Sequence, residues 1–137
     1  MFIGTHDARP ADAVRRVMIW PVAVTPCGAT MRQVAESLAA DEIGILPVIA
    51  ENGRLVGVVS ERDVVRHLAN GAEPDHLLAE DIMTTELLQV TPETRIGEAA
   101  RLMVEAGVRH LPVLDGDAIA GIVSARDVLA VLAGAAA

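Results

Sequence analysis

Two tetrapeptides in the chain combine a hydroxyl, a cation and a carboxylate at the same spacing. Residues 60–63 have the sequence SERD, residues 124–127 have the sequence SARD, and each follows an apolar run that contains a glycine. A carboxylate can accept hydrogen bonds from the two hydroxyls of a ribose, and arginine captures phosphate well. Backbone N–H groups at a helix N-terminus add to such an anion site. The pattern therefore predicts two places where a ribose and a phosphate could bind.

The same Ser-x-x-Asp spacing is also a helix-capping pattern. The serine hydroxyl accepts a hydrogen bond from an exposed backbone N–H, and the acidic residue favours the positive end of the helix. Capping alone explains most isolated copies of this pattern. The second copy, and the glycine three residues before each serine, at Gly57 and Gly121, give weight to the binding interpretation. Both interpretations stay open at this point.

The composition limits the classes of partner. The chain has 137 residues, of which 52% are hydrophobic and 22% are charged, so it can bury the core of one ordinary domain or of two small ones. A net charge of −8 disfavours nucleic-acid backbones and membrane surfaces. Phe2 and Trp20 are the only aromatic residues, so there is no platform on which nucleobases could stack. All 11 basic residues are arginine, which excludes lysine Schiff-base chemistry.

Motifs for other chemistry are missing from the sequence. It contains no Gly-x-Gly-x-x-Gly, Walker-type or Gly-x-Ser-x-Gly motif, and its 4 histidines lack metal-ligand spacing. The single Cys27 cannot form an internal disulfide and has no evident base beside it. We therefore predict no catalytic residues, no metal site and no enzymatic activity. The lone cysteine, the short apolar runs and an N-terminus unlike a signal peptide favour a cytoplasmic location.

The elements that must position the two tetrapeptides belong to an internal repeat with an offset of about 65 residues. Met18 matches Met83, and Leu46 matches Leu111, whereas residues 24–26 (VTP) match residues 90–92 at an offset of 66. We assign five segments: an N-terminal lead 1–9, a first repeat 10–70, a connector 71–80, a second repeat 75–133 and a tail 134–137.

Each repeat shows the same order of helix, strand, strand and helix. Apolar residues at helical spacing begin at Met31 and at Ile96, which predicts an amphipathic helix in each repeat. Thr30 with Gln33 predicts a capping box at the first of these helices. Arg95, at the matching position of the second repeat, cannot form one. Two β-rich runs separated by a turn then predict a hairpin, which leads into the Ser-x-x-Asp helix. We predict an α/β (α+β) fold of two repeats related by an approximate two-fold. Each is a small sheet flanked by two helices, and the repeats pack sheet to sheet because neither buries enough alone.

Taken together, the motifs resemble a known family. Both copies hold the VTP lead-in, an LPV step at residues 46–48 and 111–113, and Gly-x-x-Ser-x-x-Asp in one order. The chain is similar to a tandem pair of cystathionine-β-synthase (CBS) domains, also called a Bateman module. This resemblance implies a regulatory, non-catalytic protein that needs no cofactor. It implies that AMP, ADP, ATP, NAD or S-adenosylmethionine binds as a regulatory ligand in clefts between the repeats.

Carried over by position, the resemblance assigns roles to single residues. Asp63 and Asp127 would bind the ribose. Residues near the ribose and phosphate would be Ser60, Arg62, Ser124 and Arg126. Residues around the adenine would be Val24, Thr25, Val90 and Thr91, with Pro47 and Pro112 opposite. Arg109 and His110 would face the phosphate in one cleft only, because the first repeat has Gly44 and Ile45 at the equivalent positions.

The resemblance further implies a homodimer that regulates another protein in trans. A second interpretation stays open, in which the chain is an interaction scaffold with this fold, binds no nucleotide and uses Ser-x-x-Asp only as a helix cap. The inequality of the two repeats keeps that alternative in place.

Overall fold

A computed structural model describes residues 7–41 and 43–136 of the chain, so the predicted lead 1–9 lies partly outside the described residues. The described part holds five α-helices, five strands and a 3-10 helix at Val14–Arg16. The strands are β1 (Thr25–Pro26), β2 (Ile45–Ile49), β3 (Leu55–Ser60), β4 (His110–Asp115) and β5 (Ala118–Ser124). The helices are α1 (Met31–Asp41), α2 (Glu61–Ala69), α3 (Ala79–Ile82), α4 (Ile96–Ala106) and α5 (Ala125–Ala136). None of these helices is long and apolar enough to span a bilayer.

The apolar spacing correctly predicted where the first helix of each repeat begins. The predicted capping box is present at α1: the Gln33 N–H donates to Thr30 Oγ1 (3.1 Å), and the Thr30 N–H donates to Gln33 Oε1 (2.9 Å). Helix α4 begins after Arg95, which makes no side-chain capping bond, as expected. It ends at Gly107, whose φ of 67° lies in the left-handed region that glycine adopts without strain.

The strands form two small sheets, which confirms the mixed α/β fold. The first has the order β1-β2-β3, with β1 parallel to β2 and β2 antiparallel to β3. The second pairs β4 with β5 in an antiparallel hairpin. Val90 forms a single parallel bridge to Val113, so it continues this sheet as β1 continues the first one.

The VTP match is shifted by one residue in the structure. The sequence comparison aligned Val24 with Val90. In the structure, Thr25 pairs with Val48 of the first LPV step, and Val90 pairs with Val113 of the second. Thr25 and Val90 therefore hold equivalent positions. Burial explains the shift. Thr25 is 3% exposed and Val90 is 4% exposed, whereas Val24 is 44% exposed. Because successive side chains in a strand alternate in direction, a shift by one residue decides which of them enters the core.

The chain divides into two compact units that do not follow the sequence repeats at their starts. We call Ala23–Leu87 the N-repeat unit, and the segment ending at Val22 together with residues 88–136 the C-repeat unit. The segment that ends at Val22 precedes the main helix of the first repeat but belongs to the unit of the second. Residues 79–87 precede the main helix of the second repeat but belong to the unit of the first.

Each unit has its own apolar core. The largest fully buried side chains of the N-repeat unit include Met31, Leu46 and Val59. Those of the C-repeat unit include Ile96, Leu111 and Val123. Helices α1 and α4 therefore pack their apolar faces against the hairpins, which fixes the hairpin ends where the Ser-x-x-Asp segments begin.

The segment that precedes the main helix of each repeat runs along the edge of one hairpin. Thr84 exchanges two backbone hydrogen bonds with Val58 (2.8 and 3.0 Å), and Ile19 exchanges two with Ile122 (2.7 and 3.0 Å). A glycine next to each pair permits the close approach. A Cβ atom added to Gly57 would lie 2.9 Å from the Thr84 carbonyl oxygen. The second unit repeats this contact, since a Cβ atom on Gly121 would lie 2.9 Å from the Ile19 oxygen.

We predict that Gly57→Ala and Gly121→Ala each lower the free energy of unfolding by about 1–3 kcal/mol, because the added methyl group meets a backbone oxygen that cannot move alone. Urea denaturation measures the change. Gly28→Ala is the matched control, since a Cβ atom there has no neighbour within 4 Å. Equal stability of all three variants would show that the close approach is not a constraint.

Candidate functional site

The first Ser-x-x-Asp segment forms a complete capping box at the start of α2. The Asp63 N–H donates to Ser60 Oγ (3.1 Å). In return, Asp63 Oδ2 accepts from the Ser60 N–H (2.9 Å) and from the Ser60 hydroxyl (3.0 Å). Ser60 and Asp63 therefore cap α2, as the helix-capping interpretation predicted.

A third group binds the same carboxylate. Arg66 Nη2 donates to Asp63 Oδ1 at 3.1 Å, so both carboxylate oxygens are engaged. The Asp63 side chain is only 8% exposed, while that of Arg66 is 59% exposed. Sequence analysis did not single out Arg66, although its position three residues after the aspartate places the two side chains on one helix face.

The second Ser-x-x-Asp segment is similar but more open. The Ser124 hydroxyl donates to Asp127 Oδ2 (2.8 Å), and the Asp127 N–H donates to Ser124 Oγ (3.2 Å). The residue three positions after Asp127 is Ala130, which cannot form an ion pair. Within residues 7–41 and 43–136, Asp127 Oδ1 has no hydrogen-bond partner, and the residue is half-buried. One carboxylate oxygen is thus free to accept a hydrogen bond from a ligand.

The first N–H of α2 and the first N–H of α5 each donate a hydrogen bond to the residue just before the preceding hairpin, next to the Ser-x-x-Asp segment. The Glu61 N–H donates to the Gly44 carbonyl (3.0 Å), and the Ala125 N–H donates to the Arg109 carbonyl (2.7 Å). Gly44 is therefore the counterpart of Arg109, as the sequence comparison expected. In the C-repeat unit these bonds bring Arg109, His110, Ser124 and Asp127 together at one end of the hairpin.

The residues that flank the start of the hairpin carry different charges in the two units. The C-repeat unit has the exposed cation Arg109 and neutral Ala125. The N-repeat unit has Gly44 and the carboxylate of Glu61, whose Oε1 lies 3.5 Å from the place that a Cβ atom on Gly44 would take. A negative group thus lies beside the position from which Arg109 extends in the other unit. The side chains next to the hairpin start therefore differ in charge between the two units.

The folded protein lowers the proton affinity of His110. Burial lowers its pKa below the ordinary 6.5, the neighbouring Arg109 cation lowers it further, and the Asp127 carboxylate acts in the opposite direction. The neutral imidazole therefore predominates at pH 7. A neutral imidazole can still donate a hydrogen bond through one ring nitrogen.

The remaining predicted residues are distributed in different ways. Pro47 and Pro112 are buried, and the Pro112 carbonyl accepts from the Val90 N–H at 3.0 Å. Residues exposed to solvent are Arg62, Arg126, Val24 and Thr91. The two prolines thus form part of the hairpin interior, and the four exposed residues border solvent.

Val24 and Thr25 line an open cleft of about 600 Å³ in the N-repeat unit. Its other wall is α1, through Gln33, Glu36 and Ser37, which sequence analysis did not select. These polar residues lie on the outer face of an amphipathic helix, where solvated positions have the same signature, so no sequence signal could have found them. Ser60 and Asp63 are not among the residues that line this cleft.

No group of three or more histidine, cysteine, aspartate or glutamate side chains in the described ranges could hold a metal ion. The polar groups at the ends of the two hairpins repeat in sequence position but differ in charge and in hydrogen bonding.

The comparison with protein families agrees with the repeat. The model of the CBS domain matches residues 14–70 and again residues 79–134. The chain belongs to the CBS domain family. The two matches cover the helix, hairpin and helix of each repeat, so this chain carries a tandem CBS pair.

Relatives and solved structures support the same assignment. The chain is 39% identical over 99 residues to an uncharacterised 33.4 kDa protein of Thermofilum pendens, covering 72% of this chain and 32% of that protein. It is 30% identical to the CBS domain-containing protein YhcV of Bacillus subtilis, covering 85% of this chain and 82% of that one. The solved CBS domain pair of protein MJ0100, in complex with 5′-methylthioadenosine and S-adenosylmethionine, has a TM-score of 0.83 at 24% identity. The match covers 92% of this chain and 99% of the MJ0100 chain.

This CBS pair spans between 32% and 53% of the length of the Thermofilum protein and of two further uncharacterised relatives, from Methanopyrus kandleri and Methanocaldococcus jannaschii. Those longer proteins share the module, and the similarity concerns the module alone.

The pKa of His110 predicts a pH dependence of folding. Because the folded state holds this pKa below 6.5, the unfolded chain binds the proton first as the pH falls. The contribution of His110 to the free energy of unfolding is fully present above about pH 6.5, and it decreases as the pH falls toward the lowered pKa. We expect His110→Gln to flatten this decrease in urea titrations between about pH 7.5 and 5.5. His76→Gln, at an exposed position, is the control, and equal slopes in all three proteins would contradict the prediction.

Proposed function

We propose that this CBS pair is a regulatory module that binds an adenosine-containing ligand with a phosphate group, and that the C-repeat unit is the principal binding site. The observation that carries the proposal is the unpartnered Oδ1 of Asp127, next to Ser124 and beside Arg109 and His110.

Each ligand group has a chemically suited partner there. The ribose hydroxyls donate to the Asp127 carboxylate, whose free oxygen would otherwise be bound only by water. The phosphate is attracted by the guanidinium of Arg109 and by His110, which gains a proton more readily when an anion is bound. The adenine lies against the aliphatic edge at Val90 and Thr91, as the family resemblance implies.

AMP, ADP, ATP and NAD share the adenosine and differ at the phosphate end, so each fits the proposal. The ligands in the MJ0100 complex, 5′-methylthioadenosine and S-adenosylmethionine, belong to that protein and carry no phosphate. They support adenosine as the shared recognition element. The positive end of the C-repeat unit supports the phosphate-bearing members for this chain.

Regulation follows from ligand-dependent stability rather than from chemistry. Anything that binds the native state alone stabilises it, and a partner protein that contacts the same unit can detect that change. We propose that the chain acts on a separate protein in the cytoplasm, where the single Cys27 would stay reduced. No part of this proposal requires a catalytic residue.

The scaffold interpretation has one observation in its favour. In the N-repeat unit, the complete capping box of Ser60 and Asp63 shows that Ser-x-x-Asp can serve the helix alone. Applied to both units, this would give a CBS-fold interaction protein with no nucleotide. The ligand panel below separates the two interpretations.

We predict that AMP, ADP, ATP or NAD raises the thermal unfolding midpoint of the protein, with GMP as the base control. A ligand at 100 times its Kd adds about 2.7 kcal/mol to the free energy of unfolding. Asp127→Asn should abolish the shift because the ribose loses its charged acceptor, while Asp117→Asn, in the exposed β4–β5 turn, should retain it. No shift with any adenine ligand would favour the scaffold.

We also propose that the chain forms a homodimer. Val65 on α2 and Leu129 on α5 occupy equivalent positions and are 64% and 63% exposed. Isolated exposed apolar residues are common, but the same position in both repeats indicates a shared use. In this proposal, a second copy of this chain covers these two faces.

Sedimentation equilibrium at micromolar concentration should therefore give about twice the 14.4 kDa of the chain. Leu129→Glu should shift the equilibrium toward the monomer, because it places a charge in the proposed contact. Val104→Glu, at an 82% exposed position on α4, should leave the dimer unchanged. A monomer in all three proteins, or equal effects of both variants, would contradict the proposal.

A further inference from the structure

The geometry points to Arg66 as the residue that decides whether the N-repeat unit can bind a ribose. In the structure its guanidinium takes the carboxylate oxygen of Asp63 that a ribose hydroxyl would need. This inference rests on the proposed function, in which the aspartate of each Ser-x-x-Asp segment receives the ribose. It assigns ribose binding to the C-repeat unit alone in the native protein.

The acceptor capacity of the two carboxylates differs. An ionised carboxylate offers roughly four lone-pair positions on its two oxygens. In Asp63, Oδ2 accepts two hydrogen bonds from Ser60, and Oδ1 accepts one from Arg66. In Asp127, Oδ2 accepts from the Ser124 hydroxyl, and Oδ1 accepts from no group in the part of the chain that the structure describes. A vicinal pair of ribose hydroxyls finds free acceptor sites on Asp127 and one at most on Asp63.

Charge and access act in the same direction. The Arg66 guanidinium neutralises the Asp63 carboxylate, so a neutral hydroxyl would have to replace a charge-assisted hydrogen bond. The Asp63 side chain is 8% exposed, which leaves little surface for a ligand to reach without moving Arg66. Because the Arg66 side chain is itself 59% exposed, its release costs little beyond the lost pair. Arg66 therefore competes with the ligand and does not block it permanently.

The second repeat provides the matched comparison. Ala130 stands three residues after Asp127, where Arg66 stands three residues after Asp63, and it is exposed. The two positions can be exchanged without disturbing a core. An arginine at 130 can reach Asp127 at the same i, i+3 spacing, and a neutral residue at 66 leaves Asp63 with its capping bonds intact.

The test uses adenosine as the probe, since Glu61 in the N-repeat unit would repel the phosphate of AMP and hide the effect of Arg66. Isothermal titration calorimetry on the full chain should give about one adenosine per chain for the native protein and about two for Arg66→Ala and Arg66→Gln, because Asp63 Oδ1 becomes free. Asp63→Asn in the Arg66→Gln background should return the number to about one.

The reciprocal variant tests the same inference in the other unit. Ala130→Arg should weaken adenosine binding roughly tenfold, because the new ion pair must be broken by the ligand. Ala130→Gln, of similar length but uncharged, should bind as the native protein does. Circular dichroism and thermal midpoints confirm that each variant is folded before binding is compared.

The outcomes distinguish this inference from the function on which it rests. Adenosine binding that is absent from the native protein and from every variant would overturn both. Two adenosine molecules bound per native chain, or one bound to Arg66→Gln with that binding lost in Asp127→Asn, would overturn the role of Arg66 and leave the C-repeat site in place. Equal affinity of Ala130→Arg and Ala130→Gln would also overturn it.

Discussion

In each unit, a single backbone hydrogen bond joins the start of the second helix to the start of the hairpin, and the polar site depends on it. The bond from the Ala125 N–H to the Arg109 carbonyl satisfies one of the orphan donors at the helix N-terminus. It also sets the distance between residues that lie far apart in sequence. Together with the pairing of His110 with Ser124 in the β4–β5 hairpin, this bond holds Arg109 near the start of α5, where Asp127 lies.

The bond from Glu61 to Gly44 gives the N-repeat unit the same frame, and different side chains give that frame a different chemistry. Arginine is replaced by glycine before the hairpin, alanine by glutamate after it, and alanine by arginine one turn into the helix. None of these positions is fully buried, although Ala125 packs against the core of its unit. The two repeats thus keep one fold, while the charges next to the hairpin start and the hydrogen bonds of the aspartate carboxylate differ.

Most of the fold could be predicted from the sequence because periodicity reports burial. The starts of α1 and α4, both hairpins and the Thr30 capping box follow from the spacing of apolar residues and from local hydrogen-bonding chemistry. The one-residue shift at Thr25 could not be predicted, because the matching VTP letters outweighed the burial that decides the register. The Arg66 contact depends on a side-chain conformation, and the wall of α1 at the cleft has the composition of any solvated helix face.

The segment on the hairpin edge of each unit comes from the part of the chain next to the main helix of the other repeat, and this has a consequence for how the module can be inherited. The main helix, hairpin and second helix of one repeat are contiguous in sequence, but the unit that folds also needs a segment encoded beside the main helix of the other repeat. Cutting the chain at the connector would leave the β3 edge without Thr84 and expose Gly57 to solvent. One copy therefore cannot be lost, transferred or expressed alone without opening a strand edge, which favours the pair as the smallest heritable unit.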